Sequence, residues 1–269
     1  MEVLNIDMPY KRSNANFHLY DLSDIHFGTV HCAENKLRNK VREIAEDDMA
    51  MVILGGDLAE FITPSDPRWD SQGITDWVVK HDLGASQENH VIEQLTPIKH
   101  KIIGAIYGNH EVSIHRHSHQ DVHQHICDGL GVPNLGYSCF VKFHFHRANS
   151  NERHLITGAF THGTGNAITE GAKINNLMRF MKSFEADLYG YSHVHDYIPK
   201  SLTRLNVDNN GKITNRVSIG ATTGCWFRTY SQGINASYGE QKCFPPSELC
   251  CAMFTMNPNT GFIDVSRSV

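Results

Sequence analysis

Five short apolar runs set the rhythm of the chain: Asn16–Ser23, Met49–Gly56, Lys101–Gly108, His154–Thr161 and Ala186–Ser192. Each closes on Gly, Ser or Thr, as strands buried within a sheet do. The first four predict strands at Phe17–Ser23, Met51–Gly55, Ile102–Tyr107 and Leu155–Phe160, and a further strand is expected at Ser138–His146. Helical spacing fills the intervals. Leu37, Val41, Ile44 and Ala45 share a face across 33–46, and Ile174, Leu177, Met178 and Met181 share one across 172–184. A shorter helix is expected at Asn89–Leu95, and the polar, His-rich stretch from Asn109 to Leu130 also reads as helical. An insertion at 61–88 reads as loop around Pro64 and Pro67 and as partly helical further on. Beyond His195 the character turns to β. Residues 201–207 and 212–219 flank the hairpin turn Asp208-Asn-Asn-Gly211, and 249–256 and 262–269 flank Asn257-Pro-Asn-Thr-Gly261. Strand and helix alternate first and strands dominate later, which predicts a βαβ core with two packed sheets.

With 269 residues, 40% of them hydrophobic, the chain can bury a full core. No linker-like or low-complexity stretch divides it, so one domain over 1–269 is expected. A net charge of −5 gives no global attraction to nucleic acid or anionic lipid. No run approaches the roughly 18 apolar residues of a spanning helix, and 1–15 lacks the apolar core of a signal peptide. The seven cysteines are odd in number, scattered and free of CxxC spacing. They read as reduced thiols in a cytoplasm. The outlying count is 18 histidines.

Chemistry enters where the apolar runs end. Directly after them stand Asp24 and His26, then Asp57, then Asn109 and His110, then His162, then His193 and His195. Loops at the carboxyl ends of strands in an open α/β sheet gather into one crevice. Two carboxylates, an amide and several imidazoles would meet there, which predicts a metal site. Imidazole and oxygen donors without thiolate suit Mn, Fe, Zn or Ni better than a closed structural zinc.

Written as a pattern, the chain carries D-I-H (24–26), G-G-D-L-A-E (55–60), G-N-H-E (108–111), H (162) and S-H-V-H (192–195). This order resembles the signature of the calcineurin-like metallophosphoesterases. Leu130–Gly136, Gly171–Asn176 and Phe227–Tyr230 further resemble the single-domain members common in phage and prophage genomes, which would place the protein in a host cytoplasm. The resemblance implies an α/β fold of two packed mixed sheets flanked by helices, four layers in the order αββα. It implies two divalent metal ions, Mn foremost, with Fe, Zn or Ni as alternatives. Asp24, His26, Asp57 and His195 would take one ion, and Asp57, Asn109, His162 and His193 the other, so that Asp57 bridges. A water activated between the metals would attack a phosphodiester, of a nucleotide or nucleic acid, or a phosphomonoester. His110 would assist the leaving group and the Glu60 carboxylate would orient His110. The alternative is a catalytically silent metal-binding scaffold of the same fold.

Two positions depart from the family pattern. Ser192 stands where a glycine precedes the last histidine pair, so that turn must accept a Cβ. Phe61 stands where the protein phosphatases of the superfamily carry a phosphate-holding arginine, which argues against that activity. Among the remaining residues, Arg228 is the expected basic contact to substrate. Gly163-Thr-Gly165 reads either as a phosphate cradle at a helix N-terminus or as a turn that positions His162. His115, His119 and His123 would share one helix face, and Trp69 and Trp77 read as packing of the insertion or as a lid.

Overall fold

The computed structural model describes residues 1–165 and 167–269. In chain order the first half runs β1 (Glu2–Tyr10), β2 (Phe17–Leu22), α1 (Glu34–Glu46), β3 (Ala50–Leu54), α2 (Leu83–Leu95), β4 (Ile102–Ala105), α3 (Asn109–Ser118) and α4 (Val122–Leu130). The second half runs β5 (Ser138–Arg147), β6 (Arg153–Thr161), α5 (Glu170–Ser183), β7 (Leu188–Tyr191), β8 (Ile198–Val207), β9 (Ile213–Thr222), α6 (Tyr238–Gln241), β10 (Cys251–Asn257) and β11 (Phe262–Ser268). They form two mixed sheets, one in the order β1-β5-β6-β7-β9-β8 and the other β11-β10-β2-β3-β4. β2, β3 and β4 run parallel, and so do β6, β7 and β9.

The period-2 alternation of each strand shows why two sheets and two helical layers result. In β2, Phe17 and Leu19 face the core between the sheets, where they meet Phe143, Phe145 and Phe254. Tyr20 and Leu22 face the other way, onto Leu37, Val41, Val91 and Ile126 of α1, α2 and α4. β3 repeats this, with Met51 and Ile53 inward and Val52 and Leu54 toward the helices. In the other sheet, Phe160 and Leu188 enter the shared core, while Ala159, Tyr189 and Tyr191 pack on Leu177, Phe180 and Met181 of α5. Strands apolar on both faces give the continuous apolar runs read in the sequence. The fold is α/β, two mixed sheets flanked by helices, in the expected αββα order.

The structure departs from the sequence reading at β1, in the His-rich stretch and at the short helix α6. β1 was not expected; its alternate residues are exposed and it pairs only with β5, so it is an amphipathic edge strand without an apolar run. α2 begins at Leu83, so the later part of the insertion is partly helical, as read, and continuous with the helix expected at Asn89–Leu95. The His-rich helix is two helices: His119 adopts φ +54° and closes α3, and the Asp121 carboxylate caps α4 by accepting the Gln124 N–H at 3.1 Å. His115, His119 and His123 therefore do not share a face. His123 is buried against Asn134, and His125 contacts Glu88 at 3.1 Å on the surface. All seven cysteines are unpaired. Among the described residues, no helix is long and apolar enough to cross a membrane.

Candidate metal centre

The parallel strands of both sheets end at one edge of the sandwich and release the predicted ligands there. Asp24 and His26 follow β2, Asp57 follows β3, Asn109 and His110 open α3 after β4, His162 follows β6, and His193 and His195 follow β7. Ligand-type atoms of Asp24, His26 and His195 lie within 4.8 Å of one another, and so do those of Asp57, His162 and His193. Both groups could hold a metal ion. Asn109 Oδ1 lies 3.1 Å from His162 Nε2, on the second group.

The backbone there is strained. Asp24, His26, Asp57, His193 and His195 have φ of +51°, +56°, +50°, +73° and +55°. Left-handed backbone costs a non-glycine residue about 1–2 kcal/mol, so five at one edge must be held by their surroundings. Amides of one loop bonded to carbonyls and carboxylates of the next supply the hold. Asp24 and Ile25 donate to the Gly56 and Asp57 carbonyls at 2.9 Å each. The His193 N–H donates to Asp24 Oδ2 at 3.0 Å, and the His110 N–H to Asp57 Oδ1 at 2.9 Å. Glu111, in the first turn of α3, accepts the N–H groups of Asp57, Leu58 and Gly108 at 3.0, 2.8 and 2.8 Å. Gly108 has to be glycine because a Cβ there would run into Asp57 Oδ1. At Ser192 the φ is not positive and the left-handed turn falls one residue later, at His193, so the Cβ of Ser192 is accommodated without backbone strain.

Hydrogen bonds behind the rings fix which nitrogen is free. The His162 Nδ1 sits 2.8 Å from the Gly55 carbonyl, which can only accept, so Nδ1 carries the hydrogen. The free Nε2 then faces Asp57 Oδ2 at 3.3 Å. His26 Nδ1 likewise faces Glu60 Oε2 at 3.1 Å, which leaves His26 Nε2 3.3 Å from His195 Nε2. His195 Nε2 is also 3.2 Å from the buried Asp24 Oδ1, and, against burial, that contact raises the imidazole and lowers the carboxyl. His193 Nε2 gives its hydrogen to the Gly165 carbonyl at 3.1 Å, which frees Nδ1. Lone pairs thus face lone pairs and carboxylate oxygens, an arrangement that needs a proton or a cation between them. Acceptor-oriented imidazoles of this kind are the usual surroundings of a metal-bound histidine.

Titration follows the same logic. Burial disfavours the charged His162 ring, but the Asp57 carboxylate outweighs it and raises the imidazole to about 9. Burial opposes ionisation of Asp57, yet the His162 and His110 charges hold its carboxyl well below the usual range. For Glu60, burial is outweighed by the charges of His110 and His26, which bring it to about 2. Asp21, buried in β2 behind the centre, goes the other way: burial and the Asp24 charge push it up to about 8.

The residues around the ligands bring three corrections. The Glu60 carboxylate contacts His26 and does not make the expected pair with His110; it is the Glu60 backbone carbonyl that accepts His110 Nδ1–H, at 2.5 Å. This leaves His110 Nε2 in the cleft, 3.9 Å from Asp57 Oδ2. Arg228 is turned away from the cleft: its guanidinium donates to the Cys32 carbonyl at 3.0 Å, and only its neighbours Phe227 and Thr229 line the opening. The basic group at the site is Arg68, whose Nη1 lies 3.4 Å from His110 Nε2. Arg68 is held by two bonds to Asp66, at 3.0 and 2.7 Å, and Asp66 is tied to α3 through Ser113 Oγ at 2.5 Å. On the opposite wall Lys173 pairs with Asp196 at 3.1 Å. Neither cation was legible in the sequence, because nothing in periodicity or motif marks where an insertion or a helix will place one charge.

The Gly163–Gly165 segment is a positioning turn. Its amides at 163 and 164 are bonded to Thr161 Oγ1 and Tyr191 OH, and α5 starts only at Glu170, capped by Thr169. Trp77 stacks on His90 at 4.0 Å and serves the insertion's packing, while Trp69 packs partly on the core and lines a cavity beside the cleft. His26, Asp57, Asn109, His193 and His195 border an open cleft of about 330 Å³ together with His110 and Arg68.

No family model matches this chain, and no curated protein matches it. Among solved structures it is similar to a conserved uncharacterized protein of Streptococcus pneumoniae TIGR4, described as a predicted phosphoesterase, at 11% identity and a TM-score of 0.36 over 94% of this chain and 98% of that one. It is also similar to Vps29 of Chaetomium thermophilum, at 9% identity and a TM-score of 0.38 over 94% of each chain.

Proposed function

We propose that this chain is a metal-dependent phosphoesterase whose centre takes two divalent cations. Asp24, His26, His195 and Asp57 would hold one, and Asp57, Asn109, His162 and His193 the other. The observation that carries this reading is the facing of imidazole nitrogens and carboxylate oxygens in two adjoining groups, with the buried Asp24 Oδ1 met only by His195 Nε2, at 3.2 Å, among the described residues. When bound, two such cations polarise a phosphoryl oxygen and bring a water toward ionisation near neutral pH.

The chain's own groups complete the chemistry. His110, oriented by the Glu60 carbonyl, presents Nε2 to the cleft and would donate a hydrogen bond or a proton to the departing oxygen. Arg68 would hold a non-bridging phosphate oxygen beside it, as a charge-assisted donor fixed by Asp66. Phosphodiesters of nucleotides or nucleic acid ends are the preferred substrates and phosphomonoesters the second class.

The test is hydrolysis of bis-p-nitrophenyl phosphate and p-nitrophenyl phosphate by metal-stripped protein with Mn²⁺ restored. Metal-dependent cleavage that disappears in Asp57→Asn and His110→Ala is the expected result. Absence of turnover with Mn²⁺, Fe²⁺, Zn²⁺ and Ni²⁺, despite bound metal, would contradict it and favour a binding scaffold.

A further inference from the structure

Beside the metal cleft lies a second cavity of about 440 Å³, within the size range of small-ligand pockets. The two share Glu60, Arg68, Phe227 and Tyr238, so they form one depression with Arg68 on the divide. Their chemistry differs. The cleft gathers the imidazoles and Asp57. Of the residues grouped at the metal centre, only Glu60 lines the second cavity; it is walled by the rings of His31, Trp69 and Phe227 and rimmed by polar groups of Asp70 and Gln87.

His31 belongs to the inner wall of this cavity. Its ring is only 5% exposed and sits 5.4 Å from the Phe227 ring. Its Nδ1 is buried and has no hydrogen-bond partner among the described residues. The walls exclude some ligands. Glu60 and Asp70 would repel a second phosphate but accept hydrogen bonds from ring or exocyclic N–H groups. Flat aromatic walls with such acceptors suit a planar nitrogen heterocycle.

We propose that the second cavity holds the nucleobase of a nucleoside phosphate ester whose phosphorus sits beside Arg68 and His110. This rests on the phosphoesterase reading and gives it a substrate class. Because Arg68 lines both cavities, a phosphate on its guanidinium adjoins the base-sized space.

The test compares binding of adenosine 5′-monophosphate and ribose 5-phosphate to the Mn²⁺-loaded protein by calorimetry. The base should tighten binding about tenfold, the size of one base–aromatic stack. That advantage should collapse toward one in Trp69→Ala. It should also collapse in Ala236→Trp, which plugs the cavity from an exposed position and spares the core. Equal affinity for the two ligands, no binding of the nucleotide, or an advantage that survives both substitutions would overturn the proposal. A protein that hydrolyses simple esters but shows no base advantage fails here alone, whereas one that shows the advantage without hydrolysing any ester fails the activity alone. Comparing the mononucleotide with a dinucleotide then tells a free nucleotide from a strand end.

Discussion

Glu111 accepts the backbone N–H of Asp57 at 3.0 Å, so one buried carboxylate fixes the turn that presents another. The same side chain takes the amides of Leu58 and Gly108. Glu111→Ala would strand three buried donors, each worth about 1–3 kcal/mol when left unpaired. The variant should lose at least ~3 kcal/mol in urea unfolding, with Glu111→Gln losing less because one acceptor oxygen remains. A loss under about 0.5 kcal/mol for the alanine variant would show that the turn holds itself.

Asp57 stands next to His162 and His110 and is the carboxylate proposed to serve both cations. Asp57→Asn should therefore reduce bound Mn²⁺ at both positions, while His195→Ala should weaken only the ion at Asp24. Metal content after dialysis at graded free Mn²⁺ distinguishes the two. Equal losses in both variants would mean the groups bind independently of Asp57.

A proton and a cation compete for His162. In the cation-free protein its imidazole is raised to about 9 by Asp57, so at neutral pH a proton must leave before a metal enters. Apparent Mn²⁺ affinity should rise between pH 6 and 9, with proton release on binding detectable in buffers of different ionisation enthalpy. Affinity that is flat across that range would contradict the assignment of the second group.

His123 links stability to pH away from the centre. Burial lowers its imidazole from 6.5 to about 4, while the Asn134 contact opposes the shift. The unfolded chain then binds the extra proton first, so stability is full above pH 6.5 and falls as the pH drops toward 4. The loss at pH 5 is about 2 kcal/mol by linkage. His123→Gln should flatten the difference in urea midpoint between pH 7 and pH 5 by about that amount relative to the parent chain. An unchanged difference would show that His123 is not buried neutral.

Arg68 and Arg228 make opposite predictions. Arg68 reaches into the cleft, and Arg228 is bonded to the Cys32 carbonyl. Arg68→Ala should raise KM for a phosphate ester at least about tenfold, the loss of one charge-assisted contact. Arg228→Ala should leave KM within about twofold. The reverse outcome would restore the arginine that the sequence favoured.

What the chain disclosed in advance follows from how each feature is encoded. Strands buried on both faces write themselves as apolar runs, so β2, β3, β4, β6 and β7 were legible and the ligands stood directly after them. β1 was missed because a half-exposed edge strand leaves only a weak alternation. The break at His119 was missed because a histidine took the left-handed position that glycine usually marks, although Asp121 offered a capping signal. Which atom of Glu60 meets His110 depends on a rotamer and on one left-handed residue, Phe61 at φ +46°, and no spacing rule carries that. Arg68 lay in an insertion without periodicity, so its approach to His110 depended wholly on tertiary packing.

The most direct measurement is a Mn²⁺ titration of metal-stripped protein, following bound metal per chain and hydrolysis of bis-p-nitrophenyl phosphate in the same samples. Two ions should bind per chain, with activity emerging as the second binds, and Asp57→Asn should show neither feature. Saturation at one ion, or two ions with no hydrolysis, would contradict the two-ion phosphoesterase reading.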